Sequence, residues 1–500
     1  MSAVSPMPAG HRALLNQIQA LSLARNTPIL LVGGAVRDWL MGTPLTDFDF
    51  VVQGDAIALA RAVANALGGH FYILDQERGT ARVILKSRET GQPAEGDATA
   101  PPSLILDFSV CRGATWEEDL FDRDFTINAI ALDLAHDTVL DPTGGRRDLE
   151  ERIIRQARAG AIEDDPVRAL RAVRMSLALS AAIEPATAAA IRLAARRLSR
   201  PSPERVRDEL MKILSRPDAA RGARMLDTFG LLGVIAPEIE PMRGCEQSPP
   251  HRFNALEHTF VVLDYADALL SGQIDAALHF DISDRQRAQL ASHFAATITA
   301  DRPRAAIFRF ALLLHDSGKP QTRVVNEAGA ATFPNHPAIG ASLATRRARA
   351  LKLSGDEIRR VKTIVEHHMR PNLMARAGEF SLRALYRLWR DAGDCMPELA
   401  LLCVADGMGK AGADTALEDR QRRGRMAELI LDAYYTRFAP DAAPEPLIQG
   451  EDVLALGVAP GPKIGQMIES VREAQMAGDI TTRAEALAVL RRIAADSQQP

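Results

Sequence analysis

The chain has 500 residues, 47% of them hydrophobic and 25% charged, with a formal net charge of -4. That length exceeds the roughly 250 to 300 residues at which a single core stops growing, so two to four domains are expected. No run nears the roughly 18 apolar residues of a membrane span, and the N-terminus lacks a basic stretch followed by a long apolar one, so a cytoplasmic globular protein is expected. Cys111, Cys245, Cys395 and Cys403 lie far apart with no CxxC pair, which argues against a zinc ribbon or a disulfide framework and points to reduced thiols. A pI near 6.3 does not advertise a nucleic-acid binder. Residues 146 to 224 nevertheless hold 18 Arg plus Lys against 11 Asp plus Glu, a basic middle segment in a slightly acidic chain.

Taken in order, ILLVGGAVRDWLMGTPLTDFDFVV (29 to 52) reads as strand, glycine turn, short helix and a second strand of alternating polarity. HFYIL, ARVIL and LILDFSV read as further strands. Between the last two, the polar, Gly- and Pro-rich stretch at 87 to 103 reads as a hairpin loop. The α/β part ends near DPTGG at 141 to 145. Beyond it helical periodicity dominates: Val167, Leu170, Val173 and Leu177 share one face and Arg168, Arg171 and Arg174 another. Pro- or Gly-rich breaks fall near 199 to 204, 241 to 252 and 438 to 450.

Asp47 and Asp49 flank Phe48 on a strand, and the two-residue period puts both carboxylates on one face. Two anions so placed repel unless a cation lies between them, and Mg²⁺ is commonly held by one or two carboxylates plus substrate phosphates. Upstream, Gly33 and Gly34 let a backbone approach a triphosphate closely, and Arg37 on the turn can clamp phosphate oxygens in bidentate fashion. A third acid, Asp107 in LILDFSV, would join the pair if its strand lay adjacent. Three carboxylates, two metals and a triphosphate describe nucleotidyl transfer.

At this point the motifs acquire a family likeness. LVGGAVRDWLMGTPLTDFDFVV resembles the signature of the class II tRNA nucleotidyltransferase and bacterial poly(A) polymerase family, within the polymerase-beta-like nucleotidyltransferase fold. DLFDRDFTINAIALD, DPTGGRRDLEERIIR, DDPVRALRAVRM and SPERVRDELMKIL resemble its later motifs in order, over about the first 235 residues. The resemblance implies an α+β head with a mixed sheet and all-α neck, HD and C-terminal domains. It implies Asp47, Asp49 and Asp107 as catalytic carboxylates, Asp47 and Asp49 as Mg²⁺ ligands, and Gly33, Gly34 and Arg37 as phosphate binders. Arg123, Asp124 and Asn128 would sit near ribose and phosphates. The family's acidic-Asp-x-x-Arg motif reads the incoming base; here it is Asp164-Asp165-Pro166-Val167-Arg168, with Asp in place of the usual first Glu. Asp offers acceptors and Arg donors, a pair that can complement the Watson-Crick edges of C and A. Read without the family, Arg168 is a helix-surface arginine paired to Asp164 or Asp165, Asn128 a strand-end cap, and Arg123-Asp124 a local ion pair. Many CCA-adding relatives carry a longer flexible segment before DLFDRDFT, linked to the switch from C to A addition. Only CRGATWEE stands there in this chain, which leaves CC-only addition open unless the loop at 87 to 103 serves instead.

Past the neck lie His258, His315-Asp316, His336, His367-His368 and Asp406. Adjacent His and Asp in a buried helix are costly unless satisfied, and together they ligate a transition metal well. Their order resembles the HD phosphohydrolase domain, implying His258, His315, Asp316 and Asp406 as ligands with His336 and His367 or His368 nearby. In related bacterial enzymes such a domain is associated with phosphatase or cyclic phosphodiesterase activity on RNA ends; a metal-free scaffold that only binds RNA is the alternative. Near the C-terminus, Gly457 and PGPKIG (460 to 465) read as a turn between helices that could meet RNA phosphates.

The expected domains are 1-145 head, 146-240 neck, 245-415 HD-type and 416-500 C-terminal. The expected activity is transfer of CMP and AMP from CTP and ATP to the 3′-OH of tRNA, by a two-metal route. CC-adding, A-adding and poly(A)-adding enzymes stay open as alternatives, as does an HD phosphohydrolase with a non-catalytic head.

Overall fold

In the computed structural model the described residues are 7-86, 104-272, 279-299, 301-378, 380-438 and 443-496; the loop expected at 87 to 103 lies outside them. The chain divides into two compact units, Met1–Pro201 and Ser202–Pro500. Among the described residues, no helix is long and apolar enough to cross a membrane.

The first unit is built on a seven-stranded mixed sheet of β1 (Ile29–Val32), β2 (Asp47–Val52), β3 (His70–Asp75), β4 (Thr80–Leu85), β5 (Leu104–Val110), β6 (Ala131–Asp133) and β7 (Thr138–Leu140), in the order β3-β4-β5-β2-β1-β6-β7. Within this sheet only β2 and β5 pair in parallel; its other ladders are antiparallel. The strands expected from HFYIL, ARVIL and LILDFSV are all present. In β2 the alternation holds at its start: Asp47 and Asp49 are exposed while Phe48 and Phe50 are buried. The buried rings join Leu106, Phe108, Val83, Leu59 and Val63 in a core shared with helices Ala9–Ala24 and Ala56–Leu67. Phe50 stacks on Phe108 with centroids 4.9 Å apart. A separate apolar cluster, including Leu30, Val32, Val51, Leu120 and Ala131, also draws on β1, which is buried along its whole length.

Some helices of this unit start where a side chain accepts from their free N-H groups. Asp55 accepts from the Ala58 N-H at 2.9 Å, and Thr115 caps Trp116–Phe121 through the Glu118 N-H at 3.2 Å. At the close of the sheet Asp141 accepts from the N-H groups of Gly145 and Arg146 at 2.7 and 3.0 Å. Gly145 permits a tight backbone crossing there, since a Cβ would lie 2.0 Å from the Thr126 carbonyl oxygen. Helix Val167–Leu179 buries Val167, Leu170, Val173 and Leu177, the stripe expected from its sequence.

The second unit is almost wholly helical. Helix Met396–Gly409, apolar apart from Glu398 and Asp406, is buried at every residue and packs against Ala255–Leu270 and Leu417–Ala433. Toward the end, Pro462–Ala477 and Arg483–Asp496 form a small core of their own with Val453, Val471 and Leu490. The turn expected at 460 to 465 is shorter than read: the following helix already begins at Pro462.

Because Phe50 and Phe108 stack across β2 and β5 at the heart of the first core, Phe108→Ala is expected to cost about 3 to 5 kcal/mol. Urea unfolding followed by circular dichroism checks this, and a loss below about 1 kcal/mol would mean that the site collapses around the missing ring.

Candidate active sites

Strand register assembles the carboxylates. Asp49 faces Val32 across the β1-β2 ladder and Asp107 across the parallel β2-β5 ladder, and Asp107 in turn faces Arg82 on β4. Paired residues share a face, so Asp49, Asp107 and Arg82 form one row with Asp47 two residues along. Among the described residues neither Asp47 nor Asp49 accepts a hydrogen bond, whereas Asp107 receives Arg82 Nε and Nη2, each at 2.8 Å. Asp49 is open to solvent but ringed by protein. Burial first, then the neighbouring Asp107, raises its pKa above the ordinary carboxylate value, with Arg123 opposing. Open oxygens, like charge and a shared face make a donor set suited to a hard divalent cation.

Gly33 follows directly on Val32, with φ of 72°. A Cβ there would sit 3.5 Å from Asp49 Oδ2 and 3.3 Å from Arg123 Nη1, besides the left-handed strain any other residue would meet. The basic groups beyond it are held by a chain of bonds. Arg37 Nη1 donates to Asn128 Oδ1 at 2.6 Å, Asn128 Nδ2 donates to Asp124 Oδ1 at 3.0 Å, and Arg171 Nε donates to Asp124 Oδ2 at 2.8 Å. Burial alone would raise the Asp124 pKa, but Arg171, Asn128 and the Phe125 N-H hold it below the usual range. Asp124 thus remains an anion that orients two basic side chains. Arg123 pairs with Asp119, not with its neighbour Asp124, through Nε and Nη2 at 3.2 and 3.1 Å.

Arg168 donates to three carbonyls: from Nη1 to Arg123 O and Ala161 O at 3.0 and 3.3 Å, and from Nη2 to Asp122 O at 2.9 Å. It is therefore an anchored arginine and not a partner of Asp164, which pairs with Arg158 at 2.6 Å instead. Asp165 stands in extended conformation just ahead of this helix, its carboxylate near the Val167 N-H at 3.3 Å.

The second unit gathers most of the other candidates. His258, His315, Asp316, His336, His368 and Asp406 are all buried and converge from five helices or their ends. Two ligand sets, His258-His315-Asp316 and Asp316-His336-His368, each fall within 4.8 Å and share Asp316. Asp406 Oδ1 lies 3.2 Å from His258 Nε2. His315, His336 and His368 each place Nδ1 2.7 to 2.8 Å from a carbonyl three residues back, which assigns a proton to Nδ1 and turns Nε2 inward; burial lowers the His336 and His368 pKa values and leaves those two with an Nε2 lone pair. The Nε2 atoms of His336 and His368 then face each other at 3.3 Å as two acceptors, an unfavourable contact that a cation between them would resolve. Burial, then His315, pushes the His368 pKa down to about 3, so its imidazole is neutral at neutral pH. Against the effect of burial, His315 and Lys319 hold Asp316 well below the carboxylate range. The adjacent histidines separate here: His368 enters the cluster, and His367 is half-buried outside it.

Several groups were not legible in advance. Arg82, Asp119 and Arg171 act through partners 25, 4 and 47 residues away. Lys319 Nζ donates to Asp316 at 2.6 Å, and Asn372 Nδ2 to Asp406 Oδ2 at 2.7 Å. The spacings of Asp119 with Arg123 and of Asp316 with Lys319, each about one helical turn, were the signals the sequence offered.

Such a head, joined to helices with this cluster, is the architecture of a metal-dependent nucleotidyltransferase with an HD-type domain. The poly A polymerase head domain family matches residues 29–155, the probable RNA and SrmB-binding site of polymerase A residues 182–243, and the HD domain residues 286–408. The chain is 35% identical to the A-adding tRNA nucleotidyltransferase of Deinococcus radiodurans, over 93% of this chain and 96% of the relative. It is 31% identical to the CC-adding tRNA nucleotidyltransferase of Thermus thermophilus, over 92% of each. The chain belongs to the tRNA nucleotidyltransferase and poly(A) polymerase family. Its fold matches that of the Thermotoga maritima CCA-adding enzyme complexed with tRNA, with a TM-score of 0.61, 21% identity and coverage of 98% and 97% of the two chains.

The HD-type cluster predicts stabilisation by a transition metal. Mn²⁺, Co²⁺ or Ni²⁺ at a hundred times its Kd is expected to add about 2.7 kcal/mol. In thermal unfolding, His336→Ala and His368→Ala should lose most of that increment; no shift in the wild-type protein with any of these ions would count against a metal site.

Proposed function

We propose that this chain transfers CMP and AMP from CTP and ATP to the 3′-OH of tRNA, completing or repairing its CCA end without a nucleic-acid template. The observation that carries this reading is the β2-β5 register, which faces Asp49 to Asp107 on the side that also bears Asp47 and lies beside Gly33. Family membership over nine-tenths of the chain supports it, with relatives named for A, CC and CCA addition to tRNA.

In the reaction the 3′-oxygen bonds to the α-phosphorus, the α-β phosphoanhydride breaks, and pyrophosphate leaves. Asp47 and Asp49 would hold the divalent ion, magnesium in our reading, with Asp107 the third carboxylate of the set. When bound, that ion supplies Lewis acidity to the attacking hydroxyl and offsets charge on the triphosphate. Gly33 and Gly34 bring backbone close to the phosphates. Arg37 and Arg123, oriented by Asn128 and Asp119, offer guanidinium donors, while Asp124 and Asn128 keep that lattice in place. Asp165 and Arg168 are the groups assigned to the incoming base, read by acceptors on one side and donors on the other.

The domain assignment that goes with this reading is head 1-145, neck 146-240, HD-type 245-415 and C-terminal 416-500, acting in the cytoplasm. The shared Asp316 and its surrounding histidines favour an additional phosphohydrolase activity, with His258, His315, Asp316, His336, His368 and Asp406 holding a transition metal. Addition of A alone is the second reading, favoured by the 35% identity to an A-adding relative.

The test is incubation with Mg²⁺ and tRNA ending at the discriminator base, at CC, or complete, with products sized to one nucleotide. Two additions with CTP and a third only with ATP would establish CCA synthesis. Extension of only the CC-ended tRNA by ATP would make it an A-adding enzyme, and no extension of any primer would overturn the reading. Metal stabilisation of developing charge is worth several kcal/mol, and each 1.36 kcal/mol is tenfold, so Asp47→Asn or Asp49→Asn should lower kcat roughly a thousandfold.

A further inference from the structure

Arg82 has no assigned role, yet it lies in the same row of the sheet as the carboxylates. Its guanidinium grips Asp107 side-on, Nε to Oδ1 and Nη2 to Oδ2, both at 2.8 Å. This parallel fork takes one lone pair from each oxygen and fixes the plane of the carboxylate. The pair is only partly shielded, with side-chain exposures of 38% and 26%, so it stands at the open face of the sheet and not in its core. Asp47 and Asp49, by contrast, carry no bound partner among the described residues. Arg82 thus neutralises Asp107 by direct pairing, while Asp49 feels Arg123 and Arg171 only through space.

We propose that Arg82 is a positioning residue for the head's reaction: it holds Asp107 in a fixed plane and, by cancelling one negative charge, keeps the divalent-cation site weak until a triphosphate arrives. This rests on the nucleotidyl-transfer reading above. Three bare carboxylates on one face would bind a divalent ion tightly by themselves. A site completed by substrate phosphates instead binds its ion together with the nucleotide and releases it with pyrophosphate, which suits repeated additions at one centre. The charge of Arg82 is itself reinforced by its hydrogen bond to Asp107 and, against some desolvation, by the fields of Asp107, Asp47 and Asp49.

Charge and geometry are separable by substitution. Arg82→Gln removes the cation, whereas Arg82→Lys keeps the charge but cannot form the fork. Mn²⁺ binding to the full-length protein without nucleotide is followed by electron paramagnetic resonance, counting as head sites those lost in Asp47→Asn/Asp49→Asn. The expected result is that Arg82→Gln tightens these sites by roughly three- to tenfold, the effect of one unit charge a few ångströms away in a solvated cleft, while Arg82→Lys leaves them near wild type. In tRNA extension the half-saturating Mg²⁺ of Arg82→Gln should fall in parallel, and kcat should drop in both variants because Asp107 is no longer held. Equal Mn²⁺ affinities in all three proteins, with losses only in thermal stability, would reduce the pair to a staple between β4 and β5 and overturn the proposal. Should wild-type protein extend no primer while Arg82→Gln still tightens Mn²⁺ binding, the nucleotidyl-transfer reading fails and the charge effect of Arg82 stands.

Discussion

Like charges confined to one face of a sheet set the terms for the whole head. A parallel ladder between β2 and β5 brings Asp49 opposite Asp107, and the pleat adds Asp47 to the same side. Such a concentration of anions is stable only with counter-charge nearby, and the surroundings are arranged accordingly. Arg82 lies on one flank and Arg123 on the other, and Gly33 forgoes a side chain where one would crowd Arg123. The phenylalanines on the opposite face of the same strands anchor the arrangement, since their packing resists the slip in register that would separate the acids. Stability and chemistry thus draw on alternate residues of one segment, DFDFVV.

The second unit meets a similar problem with different donors. Its anion, Asp316, is buried, and burial of a charge demands close compensation. Lys319 and the surrounding imidazoles provide it, and carbonyls three residues upstream orient three of those rings. Oxygen donors at an open face suit a hard, exchangeable ion. Nitrogen-rich donors in a closed interior suit a more tightly held transition metal.

Local patterns were readable in the chain; pairings across distance were not. The two-residue period announced Asp47 and Asp49, and the helical period announced the buried stripe from Val167 to Leu177. That Asp107 joins the first pair depended on β5 lying beside β2, which the strand pattern allowed but did not require. Arg82 looked like one polar residue in an apolar strand, because its meaning resides in the β4-β5 register. Asp124 looked like the partner of Arg123, yet its carboxylate accepts from Arg171, which is brought near only by the packing of helix Val167–Leu179 within the first unit. His367 and His368 differ by about 100° of helical rotation, and only the packing of their helix settles which one turns inward.

The grip of Arg168 on three backbone carbonyls carries a consequence for how specificity is wired. Two of those carbonyls belong to Asp122 and Arg123, the stretch that also presents a guanidinium beside Gly33. The arginine assigned to the incoming base is therefore mechanically joined to the arginine assigned to its phosphates. If those assignments hold, nucleotide choice and triphosphate placement are coupled through the backbone at Asp122 and Arg123. Under that assignment a change of terminal nucleotide would involve the backbone frame that Arg168 grips as well as its side chain.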